Sequence, residues 1–132
     1  MKLALEGGFG AVVLQASLPD AADDAKLPKL GLPSLSLAGK NDCSAGLADV
    51  KAGWAKLPSR TSLVVLDGVT HYQFTGDETP DVKKGCASGV TLTDAHERIS
   101  RALVTFFDAA FFDGSVGEAG LRQLDGAEVQ VR

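Results

Sequence analysis

The sequence predicts an α/β fold built on a parallel sheet, and two observations carry that prediction. Three short, largely apolar runs, Ala11 to Leu14, Leu35 to Ala38 and Ser62 to Leu66, read as strands, the first and third of them buried on both faces. Stretches with apolar residues at helical spacing follow the second run and the third. Parallel strands require such returns, because a tight turn cannot bring the chain back to the end it started from.

The first strand follows a loose segment, Gly7 to Gly10. From Pro19 to Pro33 the chain is polar and punctuated by Pro19, Pro28 and Pro33. With the acidic run Asp20 to Asp24 it reads as a solvated connection holding at most one turn of helix. The second strand stops at Gly39. Leu47, Val50, Trp54 and Leu57 then mark one buried helical face between Gly46 and Pro58, with Trp54 expected in core or subunit packing in preference to stacking on a substrate. The third strand, β-branched in its middle, ends at the turn dipeptide Asp67-Gly68. A polar loop runs from Thr70 to Gly89. Thr91, three residues before Asp94, starts the last helix as a capping box does, and Leu92, Ala95, Ile99, Leu103, Phe106 and Ala110 form its stripe up to Asp113-Gly114. His96, beside Ala95 and Glu97, is expected to face solvent. In the tail, the Asp125-Gly126 turn and the alternation Ala127-Glu-Val129-Gln-Val131 suggest a small hairpin.

Composition narrows the function. The 132 residues carry 13 Lys+Arg against 17 Asp+Glu, a net charge of −4, and the longest basic cluster is Lys83-Lys84, so nucleic acid is not an expected partner. No apolar run has the roughly 18 residues of a membrane span, and Glu6 interrupts Leu3-Ala-Leu5 before it could act as a signal core. Neither a membrane nor a signal peptide is expected. Cys43 and Cys86 lack the spacing of a zinc or redox motif, so no metal is expected of them. They admit two readings: one bridge, which would imply an oxidising compartment, or two unpaired thiols.

In an open parallel sheet, functional residues gather beyond the carboxyl ends of the strands, since helices cover both faces. Two loops qualify. Gly39-Lys-Asn-Asp42-Cys43 leaves the second strand, and Asp67-Gly-Val-Thr-His71 leaves the third. Adjacent strands lie about 4.8 Å apart, so Asp42 and His71 are expected to touch. Such an Asp fixes the imidazole tautomer and leaves the other nitrogen as a general base. Each residue also has a plainer reading, Asp42 as a cap on the following helix and His71 as a packing residue at a loop start. Tyr72, Gln73 and Phe74 are placed either at a pocket mouth or over the sheet.

Gly10-Ala-Val-Val-Leu14, Leu35-Ser-Leu-Ala-Gly-Lys-Asn-Asp42 and Leu63-Val-Val-Leu-Asp-Gly-Val-Thr-His71-Tyr-Gln-Phe74 together resemble the sixth, seventh and eighth strands of an α/β-hydrolase. The likeness is to bacterial carboxylesterases and dienelactone hydrolases, and it covers residues 9 to 112. It implies that residues 1–113 form the C-terminal portion of a hydrolase domain and residues 114–132 a tail. It also implies that Asp42 and His71 are the acid and base of a Ser-Asp-His triad acting on a small-molecule ester, with no cofactor. The order of that triad demands a serine upstream on a G-x-S-x-G elbow, and none is present; Ser17, Ser34 and Ser36 lack both flanking glycines, and Ser44, which precedes Gly46, has Asp42 where the first glycine should be. Cys43 directly follows the acid instead of standing on an elbow.

The expectation is therefore acyl hydrolysis in a complete enzyme, with this chain inactive alone and either dimeric or joined to a complementary N-terminal half. The alternative is a non-catalytic module for binding or assembly.

Overall fold

The computed structural model describes residues 8–19, 26–76, 86–112 and 114–132. The acidic run Asp20 to Asp24, the Lys83-Lys84 pair and the segment Leu3 to Glu6 lie outside them. Four strands form one open sheet: β1 (Val12–Gln15), β2 (Ser34–Gly39), β3 (Thr61–Leu66) and β4 (Ala127–Val131), in the order β1-β2-β3-β4. The first three are parallel, as the apolar runs predicted, with Leu14 opposite Ser36 and Leu37 opposite Val64. Every residue of β2 and β3 is buried, so the Ser-Leu-Ser-Leu alternation at the start of β2 does not mark a solvent-facing side: Ser34 and Ser36 are buried with the leucines.

Helix α1 (Leu47–Trp54) covers one face, packing Val50, Leu47 and Trp54 against Ala38, Leu63 and Val65. A second cluster on β1, Leu14 with Leu27, Leu30 and Leu57, adjoins it through Trp54. Leu27 belongs to a 3-10 turn, Leu27–Lys29, the helical turn that the described part of the connection holds. Helix α2 (Leu92–Phe111) covers the opposite face. Its Ala95, Ile99, Ala102 and Phe106 meet Leu35, Leu37, Val64 and Leu66. The residues predicted to start it do so: Thr91 Oγ1 accepts the Asp94 amide hydrogen at 3.1 Å and donates to Asp94 Oδ2 at 2.8 Å.

The tail departs from its prediction. Instead of a local hairpin, helix α3 (Gly114–Leu121) packs on α2, and β4 joins the sheet antiparallel to β3, with Val129 opposite Val64. Period-two alternation identifies a strand but not its partner, and here β3 has a free edge that β4 satisfies. Leu121, fully buried against the α2 face, closes the core there. Among the described residues no helix is long and apolar enough to cross a membrane.

Candidate functional site

The chain crosses from β2 into its loop through Gly39, where a Cβ would run into the Val69 carbonyl. Only a glycine lets the two strand exits approach this closely. The exits are then bonded to each other: the Lys40 amide donates to the Leu66 carbonyl at 2.9 Å, and the Asn41 amide to the Val69 carbonyl at 3.0 Å. The Lys40 ammonium also donates to Asp67 Oδ1 at 2.8 Å, and this hydrogen bond, with the carboxylate's charge, raises the Lys40 pKa above its ordinary value.

These bonds bring Asp42 and His71 together. His71 Nδ1 lies 3.0 Å from Asp42 Oδ2, so the expected contact is present. The Asp42 side chain is completely buried, whereas that of His71 is 31% exposed. The other carboxylate oxygen, Oδ1, accepts the amide hydrogens of Ser44 and Ala45, both at 2.7 Å. The two readings of Asp42 are therefore not alternatives. One oxygen caps the turn leading to α1, and that fixes the other toward the imidazole. A neutral His71 donating from Nδ1 presents Nε2 as an acceptor. Among the described residues nothing hydrogen-bonds that nitrogen.

Cys43 and Cys86 form a disulfide with Cα atoms 6.2 Å apart, so Cys43 has no thiol to offer as a nucleophile. The bridge fastens the segment after Cys86 over the acid loop. Asn41 Nδ2 donates to the Ala87 carbonyl at 2.8 Å, and the Gly89 amide donates to the Gly68 carbonyl at 2.8 Å. Gly68 has φ +74°, and a Cβ on it would stand 3.1 Å from the Gly89 backbone.

Sequence reasoning missed two residues here. Gln73, placed at a pocket mouth or over the sheet, is 2% exposed and hydrogen-bonds through both the oxygen and the nitrogen of its carboxamide. His96 is exposed, as expected, but it makes a contact that was not: its Nε2 lies 3.0 Å from the Gln73 carbonyl oxygen, which ties α2 to the 3-10 turn Tyr72–Thr75. The signal available for Gln73 was its position two residues after His71, but a polar loop gives no sign of which side chain turns inward. Tyr72 packs its ring edge-on to the His71 ring at 5.6 Å, and Phe74 lies over the sheet end beside Gly39.

Of the serines weighed as nucleophiles, Ser17 is exposed beyond β1, Ser34 and Ser36 are buried within β2, and Ser44 gives its amide to Asp42. A cleft of about 240 Å³ lined by Asp94, Arg98, Arg101 and Asp125 involves neither Asp42 nor His71. Among the described residues no group of three His, Cys, Asp or Glu side chains is placed to hold a metal ion. No family model matches the chain, and no curated protein is significantly similar to it.

Proposed function

We propose that Asp42 and His71 are the acid and base of a serine-hydrolase triad acting on carboxylic esters, in an α/β-hydrolase arrangement whose nucleophile comes from polypeptide outside this sequence. What supports the reading is one arrangement: a buried carboxylate, locked through one oxygen by two amides, holds Nδ1 of a partly exposed imidazole whose Nε2 has no hydrogen-bond partner among the described residues. A capping Asp alone has no need of the histidine, and a packing histidine has no need of a buried carboxylate.

In this reading His71 Nε2 takes the proton of the serine hydroxyl as its oxygen bonds to the ester carbonyl carbon. The proton then passes to the departing alkoxide as the ester bond breaks. Water repeats the sequence on the acyl-enzyme, giving up its proton to Nε2 and releasing the acid and the serine. Asp42 stays ionised and stabilises the imidazolium throughout.

The test is complementation. Alone, the chain is expected to hydrolyse p-nitrophenyl butyrate no faster than its His71→Ala variant. Co-expressed with the polypeptide encoded immediately upstream, it is expected to gain a turnover that His71→Ala abolishes. Complemented activity indifferent to His71→Ala would refute the triad, and a complex without any hydrolase activity would favour the binding or assembly module.

A further inference from the structure

We infer that Gln73 is a positioning residue for His71, acting through Thr70 and not by touching substrate; this rests on the dyad reading above. The 3-10 turn Tyr72–Thr75 has a glycine with φ +82° at its C-cap, and the residues preceding it leave β3 without a strand partner to hold them. Something else must fix residue 71. The Gln73 side chain folds back under the turn, where Oε1 accepts the Thr70 amide hydrogen at 3.0 Å and the Thr70 hydroxyl hydrogen at 3.3 Å. Its Nε2 donates to the Val90 carbonyl at 3.1 Å. Thr70 is 3% exposed and Gln73 is 2% exposed, so neither can exchange these partners for water at low cost.

The connection matters because of what lies at each end. Thr70 immediately precedes His71, so holding its amide and its hydroxyl fixes where the backbone enters residue 71. Val90 closes the segment carried by Cys86, which is bridged to Cys43, the residue after Asp42. Through Gln73 the backbone of the base is thus referenced to the same segment that is covalently attached to the loop of the acid. The His96 contact to the Gln73 carbonyl holds the turn from its outer side. A carboxamide suits this place because it offers an acceptor toward Thr70 and a donor toward Val90 on one planar group.

The readout is the His71 tautomer, measured from the imidazole nitrogen shifts of the folded chain by NMR at a pH where the ring is neutral. Wild type is expected in the Nδ1–H form, and Asp42→Asn, whose amide faces Nδ1 with hydrogens, is expected to reverse it. Gln73→Met keeps the volume and removes all three hydrogen bonds. It is expected to lower the Nδ1–H to Nε2–H ratio by roughly 3- to 10-fold, the equivalent of one ordinary hydrogen bond. Gln73→Glu keeps the acceptor for Thr70, so it is expected to retain most of the wild-type ratio and serves if the Met variant does not fold. A Met variant that is less stable but has the wild-type tautomer ratio would make Gln73 merely structural and overturn the inference. So would a Glu variant that folds and loses the ratio as fully as Asp42→Asn. A wild-type tautomer unchanged by Asp42→Asn would instead defeat the dyad reading itself.

Discussion

The carbonyl oxygen of Val69 occupies the space that a side chain on residue 39 would need. Gly39 ends the strand that leads to Asp42, and Val69 lies in the exit that leads to His71. Their contact therefore sets how closely acid and base can approach. Gly39→Ala is expected to push the two exits apart, destabilising the fold by about 1–3 kcal/mol. The accompanying loss of the Asn41 amide bond to Val69 gives a second measure, faster exchange of that amide by NMR, beside the urea midpoint.

Asp42 carries two separable duties, and two variants divide them. Asp42→Ala strips the acceptor from the Ser44 and Ala45 amides, and the expected cost is about 1–2 kcal/mol. Asp42→Asn keeps an acceptor for those amides and is expected to lose less stability. In the complemented enzyme, however, it should lower kcat on the order of 10³- to 10⁴-fold, because the imidazole then holds its proton on the wrong nitrogen. Equal losses of stability in both variants would remove the capping duty.

Much of this arrangement was legible in the sequence, and the exceptions have physical causes. Ser62 to Leu66 identified β3 because its continuous run Leu63 to Leu66 is what a strand buried on both faces requires, and Thr91 with Asp94 marked the start of α2 because orphan amides need an acceptor. Asp42 and His71 were legible because strand exits at one sheet edge converge. β4 was recognised as a strand but paired wrongly, since a pattern of period two says nothing about distance along the chain. Helix α3 was missed because Gly114, Gly117 and Gly120 give it poor intrinsic propensity. Leu121 packing against the α2 face supplies what propensity does not. Gln73 was hidden by its company, a polar residue in a polar loop whose burial depends on tertiary contacts alone.

The disulfide closes a loop with a sequence separation of 43 residues, Cys43 to Cys86. Chain entropy for a loop of that length corresponds to about 4 kcal/mol. Cys43→Ser with Cys86→Ser is therefore expected to lower the unfolding free energy by up to that amount in denaturant titration. Thiol titration of protein purified in air is expected to find no free cysteine before reduction. Two reactive thiols would show that the bridge does not form.

Two exposed pairs make small, oppositely placed contributions to the pH profile. The Lys40 pKa is raised by its hydrogen bond to Asp67, so that contribution is complete below the ordinary lysine value of 10.5 and fades as pH rises through the folded value. The Glu128 pKa is lowered, first by the hydrogen bond from Gln130 and then by the Lys51 charge, so its contribution is present above 4.5 and fades as pH falls through the folded value. Lys40→Gln is accordingly expected to differ from wild type equally at pH 6 and pH 9 and to converge with it above about 10.5. The difference should shrink in high salt, as for any exposed pair. A gap that widens at high pH would mean that Lys40 acts otherwise.

The last prediction concerns the open edge of the sheet. β1 pairs only with β2 among the described residues, so the backbone groups on its other side have no strand partner. Such an edge is a template for further pairing. Aromatic surface lies beside it: the Phe111 ring sits against Gly10, two residues before β1, and stacks on Phe107 with centroids 6.0 Å apart. Phe111 and Phe112 are 54% and 85% exposed at the end of a helix whose other face is well packed. Unpaired amides alone are satisfied by water, and exposed rings alone are ordinary on a protein surface. Together on one edge they favour covering by a second chain. In isolation the protein is expected to self-associate at micromolar concentration through β1 and these phenylalanines, as light scattering or sedimentation would show. Phe111→Ser is expected to shift the population toward monomer without changing the far-UV spectrum. A wild-type chain that stays monomeric at such concentrations, with the β1 amides exchanging freely, would rule the association out.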